Sequence, residues 1–318
     1  MIRKNIIYLV LLSVISFTSP QCVSEKKGVV VKDLRCEYLN NPLGIDIVKP
    51  NLGWIIETAD DLKNVTQVAY RILVASSPEV LEKNIGDIWD SEKVLSANST
   101  HVSYGEAINN SPAGEQLGSE TQCYWKVKVW IKGDDNNEMA SEWSSPAIWT
   151  MGLLNASDWS GKWIGLNGDA EIKDTATEHR RLAARMLRRA FPVTKNVSRA
   201  TAYVSGLGFF DYYVNGKLIS DQLMNPALSG YNKRILYVTF DVTKELKEGE
   251  NAMGVILGNG RFFAPRKKVP VPMHNYGYPR LLMQLHIEYE DGSREVIASD
   301  EKWKGTADGP VRANNEYD

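Results

Sequence analysis

Three cysteines and four histidines in 318 residues leave little material for metal chemistry. No Cys-x-x-Cys or His-Glu-x-x-His spacing occurs and the histidines are scattered, so no protein-ligated metal centre is expected. Phosphate and dinucleotide loops are missing as well. There is no Gly-x-x-x-x-Gly-Lys-Ser/Thr, and "GLGFFD" (206–211) lacks the third glycine and continues as a strand where a helix would have to begin. No cofactor is expected on these grounds. Neither sign of charge is in excess, with 37 Lys+Arg against 39 Asp+Glu. That balance removes the basic surface that nucleic-acid binding needs. Sustained helical periods are also absent, and no apolar run reaches the roughly 20 residues that a bilayer requires.

What is present at the N-terminus is a leader. Arg3 and Lys4 precede an apolar stretch from Ile6 to Phe17, which Ser, Thr, Pro and Gln then break. Residues 1–24 therefore read as an export signal, placing the mature chain in the periplasm, at the cell surface or in the medium. Cys22 stands where bacterial lipoproteins carry their lipid, although Gln21 occupies a position that prefers a small residue. A lipid on Cys22 is the one route to a membrane offered by this sequence. Cys36 and Cys123 each lie in an alternating stretch. They either pair in an oxidising compartment or remain separate buried thiols.

Short strand-like runs between Gly, Asn, Asp and Pro clusters fill the rest, so the fold class is all-β. In "CYWKVKVWI", Trp125, Val127, Val129 and Ile131 share one face, while Lys126, Lys128 and Trp130 share the other. Residues 29–154 have the strand number and spacing of a β-sandwich. A helical turn or two is expected within 77–89, with Ser77 as its cap and Pro78 in its first position. Residues 155–184 are polar and lack a period, as a connection would be, with Trp159 and Trp163 as anchors. A second β-rich block, 185–318, suits a jelly roll. Within it, "FFDYYVNGKLI" reads as a hairpin. Phe210, Tyr212 and Val214 face a core, and Asn215-Gly216 supplies the positive φ angles of the turn. "DVTKELKEGEN" reads as a short helix capped by Asp241 and ended near Gly249.

Two segments have chemistry that patterning does not absorb. The basic run "HRRLAARMLRR" (179–189) suits either a charged edge strand or contact with an acidic sugar or phosphate, and the edge strand is the simpler reading. The loops at 259–278 gather Asn259, Arg261, Phe262, Arg266, His274, Tyr276 and Tyr278. Rings can stack on the apolar faces of sugars while Arg, Asn and His bind hydroxyls, so these are the carbohydrate-binding candidates. The competing reading is a loop packed on its own aromatics or docked on a neighbouring domain.

Taken together, the blocks resemble a known family. "EYLNNPLGIDIVKPNLGWII", "AYRILVASS", "YWKVKVWIKG" and "SEWSSPAIWTMGLLNASDWSGKWIG" are similar to the N-terminal part of bacterial α-L-rhamnosidases. "ATAYVSGLGFFDYYVNGKLISD", "NPALSGYNKRILYVTFDVTKELKEGENAMGVILGNG" and "NYGYPRLLMQLHIEYEDGS" resemble the module that follows it. The resemblance implies a fibronectin type III-like sandwich and then a jelly roll. It also implies that catalysis belongs to an (α/α)6 barrel not found in these residues. Inverting hydrolysis of terminal L-rhamnose needs an acid and a base held about 6.5–9.5 Å apart. Glu316 and Asp318 lie in a tail and do not form that pair, so no catalytic residue is assigned. Where the family commonly has an aromatic after "GNG", this chain has Arg261.

The expected function is thus the accessory N-terminal part of an exported α-L-rhamnosidase. Its partners would be a rhamnose-containing glycan and a barrel in the same or a separate chain. A free-standing carbohydrate-binding or structural module is the alternative.

Overall fold

Alternating burial sets the layers in both halves of the molecule. The computed structural model describes residues 28–58, 62–107, 112–134, 136–166, 171–172, 181–220, 222–263, 276–313 and 316–317. The leader, Cys22, Arg266 and His274 lie outside them.

The first half contains β1 (Val29–Cys36), β2 (Asn51–Thr58), β3 (Thr66–Ala75), β4 (Trp89–Asp90), β5 (Val94–Leu95), β6 (Val102–Ser103), β7 (Gln122–Lys132), β8 (Glu138–Ala140) and β9 (Ala147–Thr150). One sheet is ordered β1-β2-β6. The other is ordered β4-β3-β7-β8, with β5 added to β3 and β9 to β7. Trp54, Tyr70, Trp89, Tyr104, Trp125 and Trp149 fill the space between them. Their rings meet edge to face, as at Trp89–Tyr104 (5.3 Å) and Trp125–Trp149 (6.1 Å), the arrangement that ring quadrupoles favour.

Strand β7 buries Trp125, Val127, Val129 and Ile131 as its alternation requires. On its other face, Lys126 is also buried. Its ammonium donates to the Leu81 carbonyl and to Asn84 Oδ1, both at 2.6 Å, and so closes the end of helix α1 (Pro78–Glu82). Ser77 caps that helix by accepting from Val80 N. Cys36 and Cys123 are free, buried thiols, and burial raises the pKa of both, Cys123 to about 12.

The second half contains β10 (Glu171–Ile172), β11 (Arg181–Leu182), β12 (Arg185–Val193), β13 (Val197–Gly206), β14 (Phe209–Val214), β15 (Lys217–Leu218), β16 (Val238–Asp241), β17 (Gly249–Gly258), β18 (Leu281–Tyr289), β19 (Arg294–Ala298), β20 (Lys304–Thr306), β21 (Val311–Ala313) and β22 (Glu316–Tyr317). A five-stranded sheet, β15-β14-β17-β12-β20, faces a four-stranded one, β16-β13-β18-β19. Phe191, Phe210, Tyr212, Val255, Leu257 and Met283 belong to the core between them. The β14–β15 hairpin turns at Asn215 (φ 51°) and Gly216 (φ 82°), so the aromatic run is a hairpin with a filled core.

Two expectations are corrected here. The part of the basic run in β12, residues 185–189, is not an edge, because β12 is hydrogen-bonded to β17 on one side and to β20 on the other. Its Arg185 is fully buried, whereas Met186 and Arg188 point outward. The helix expected near 241–249 is a single 3-10 turn, Thr243–Glu245. Asp241 Oδ1 accepts from both Thr243 N and Thr243 Oγ1. Gly249 already starts β17 rather than capping a helix.

Residues 155–166 are tied to the second half. Lys162 N donates to Ser299 O (2.7 Å), and Ile164 exchanges backbone hydrogen bonds with Leu281. Trp159 meets Tyr237 edge to face at 5.4 Å.

Candidate functional site

The turn that follows β17 positions the loop candidates. Phe262 N and Phe263 N both donate to Asn259 O, and Tyr276 N donates to Phe262 O (3.0 Å). These bonds bring residues 259–263 and 276–278 together. Tyr231 completes a three-ring cluster, 5.1 Å from Phe262 and 5.2 Å from Tyr276. Phe262 stacks on Tyr276, and Phe263 stacks on Tyr278, each pair at 5.8 Å. One face of each ring in the two stacked pairs is thus used on its neighbour. Burial raises the Tyr231 phenol above its ordinary pKa, with Tyr276 adding to the shift.

Asn259 is buried and its amide is fully engaged. Oδ1 accepts from Arg185 Nη1 (2.8 Å), and Nδ2 donates to the Leu182 carbonyl (2.6 Å). Among the described residues, the buried Arg185 Nε and Nη2 find no hydrogen-bond partner. Desolvation accordingly lowers the Arg185 pKa to about 10. Of the named residues, Arg261 is exposed, Tyr276 and Tyr278 are half-buried, and Phe262 is buried. None carries a carboxylate, so this cluster cannot supply the acid and base of a hydrolase. Among the described residues, no group of His, Cys, Asp and Glu is placed to hold a metal.

A second polar constellation joins the two halves. Gln284 Oε1 accepts from Ser160 N (2.9 Å), which fixes the amide so that Nε2 faces Asp158 O (2.8 Å) and His286 Nε2 (2.7 Å). With that ring nitrogen accepting, the imidazole holds its proton on Nδ1 and donates it to Glu120 Oε1 at 2.5 Å. This hydrogen bond depresses the Glu120 carboxyl below its usual range, against the opposing effect of burial. Nearby, Tyr237 Oη accepts from Leu153 N (2.9 Å), and Arg234 pairs with Asp46 at 2.7 Å. Sequence reasoning missed this seam. Its one signal was a Gln, a His and a Glu on the alternate face of β18, which needed polar partners from elsewhere.

Two family models match the chain. Residues 31–155 match the Rha78A-like, N-terminal immunoglobulin domain, and residues 195–318 match the alpha-L-rhamnosidase N-terminal domain. An alpha-L-rhamnosidase of Formosa agariphila is 36% identical over 99% of this chain and 33% of its own length. One from Alteromonas sp. (strain LOR) is 34% identical over 87% of this chain and 29% of its own length. The solved alpha-L-rhamnosidase of Dictyoglumus thermophilum superposes with a TM-score of 0.77 at 35% identity, covering 90% of this chain and 30% of that one. The chain thus spans about a third of the length of these relatives. The first domain, expected as fibronectin type III-like, is described as immunoglobulin, and both are two-sheet sandwiches.

Proposed function

Since this chain carries the two N-terminal domains of the α-L-rhamnosidases in sequence order, we propose that it is the non-catalytic N-terminal part of an exported enzyme. That enzyme removes terminal L-rhamnose from glycans or glycosides, with its acid and base in a barrel domain. The observation that carries this reading is the pair of matches, 31–155 and 195–318, within relatives about three times as long. Residues 1–24 direct export, and Cys22 is where a lipid would be attached.

In this reading the 259–278 loops serve as a contact surface for the barrel rather than as a sugar platform. A platform needs open ring faces, and here Phe262 and Phe263 are buried while the half-buried Tyr276 and Tyr278 each have one face stacked on them.

A hydrolysis assay with p-nitrophenyl α-L-rhamnopyranoside tests the reading. The 318-residue chain releases no nitrophenol, whereas the polypeptide that includes a barrel does. Turnover by the 318 residues alone would refute it.

A further inference from the structure

The outward residues of the five-stranded sheet form a surface that none of the preceding roles uses. Backbone register places Tyr213, Gly254, Arg188 and Lys304 in one row across β14, β17, β12 and β20. Ile256, Met186 and Thr306 form the next row, which ends on β14 at the exposed Asp211. Both rows line an open groove of 530 Å³.

Its two cations stand at the end away from Asp211, with no direct ion-pair partner among the described residues. Arg188 and Lys304 are directly paired residues on adjacent strands and both are exposed. Like charges in that position destabilise a sheet. Neither side chain makes an ion pair or hydrogen bond with any described residue. The neighbouring Arg189, by contrast, is bound to Asp300, and Arg199 to Glu288.

The floor is bare for no structural reason. A Cβ on Gly254 would meet nothing nearer than the Leu187 carbonyl at 3.6 Å, and the backbone there is not left-handed. Packing and conformation would both accept a side chain. Tyr213 stands two strands from Arg188, about 9.6 Å at the usual strand spacing. That width admits one pyranose ring, with an aromatic wall on one side and two cations on the other.

We propose that this groove binds an anionic saccharide, a sugar unit bearing a carboxylate or sulfate. Its ring lies over Gly254 against Tyr213, and its acid group is held by Arg188 and Lys304. The surface is separate from the 259–278 loops, and the inference does not depend on where catalysis resides.

Isothermal titration of the intact chain tests it with four probes at matched ionic strength. These are an oligogalacturonide, its methyl ester, a sulfated galacto-oligosaccharide and inorganic sulfate. One or both acidic oligosaccharides bind, and which of them does identifies the acid group. The ester binds about tenfold more weakly, the loss expected for one charge-assisted hydrogen bond. Arg188→Gln and Lys304→Gln each lose a similar factor. Gly254→Val, which fills the floor, removes binding while the unfolding midpoint is kept.

Several results would overturn the proposal. They are no binding of either acidic oligosaccharide, equal binding of the ester, variants that bind like the wild type, or inorganic sulfate binding as tightly as the saccharides. Loss of binding in a longer native polypeptide carrying this chain would also overturn it, making the groove a contact between domains.

Discussion

At Gly152 the two halves of the molecule approach as closely as backbone allows. A Cβ there would fall 2.0 Å from Tyr237 Oη and 2.8 Å from the Gly44 carbonyl. Gly152→Ala therefore forces the seam apart, and overpacking of this kind costs about 1–3 kcal/mol. Tyr237→Phe removes the nearer obstacle together with its hydrogen bond from Leu153 N. In chemical denaturation the double variant should lose less than the sum of the two singles. Strict additivity would mean that the two residues do not meet. Little of this was legible beforehand, because a glycine in "WTMGLL" gives no sign of which side chain from 85 residues on will face it. Residues defined by their own neighbours were more transparent. Ser77 next to Pro78 announced a helix start, and Asn215-Gly216 announced a turn.

Among the elements, β18 holds the two halves together electrostatically. The bond from His286 lowers the Glu120 pKa, so the unfolded state takes up a proton first as pH falls. Stability from this pair is thus fully present above the unfolded carboxyl pKa, near 4.5. It is lost as pH drops through the lower folded value. Glu120→Gln should flatten the stability–pH curve across that acidic window. A curve unchanged in slope would remove the pair from the account.

Strand periodicity made most elements readable, since β7 and β14 show their buried faces in the sequence itself. The basic run failed for a physical reason. A β-branched or aromatic alternation marks a central strand, but β12 is central with arginines at both inward and outward positions. Arg185 is buried through its bond to Asn259, a partner that lies 74 residues away. Local charge read as an edge could not reveal that. The loops at 259–278 were legible as a place where chemistry gathers. That their rings stack on each other depended on how the loop folds back, which spacing alone does not fix.

Among the described residues, the two main hydrophobic cores lie on either side of a polar seam. The first is rich in tryptophan and the second mostly aliphatic. Each is of ordinary domain size. This architecture suits a support that presents surfaces, namely the loop cluster to a partner domain and the outer sheet to a ligand. The central claim is that such a support is part of a larger enzyme. The most direct measurement is an immunoblot of source cells with antiserum raised against residues 30–318. The account predicts a native band at roughly three times the 35.7 kDa of this chain, matching relatives of which it spans 33%. A single band near 36 kDa, with no barrel-bearing partner recovered alongside it, would contradict the account.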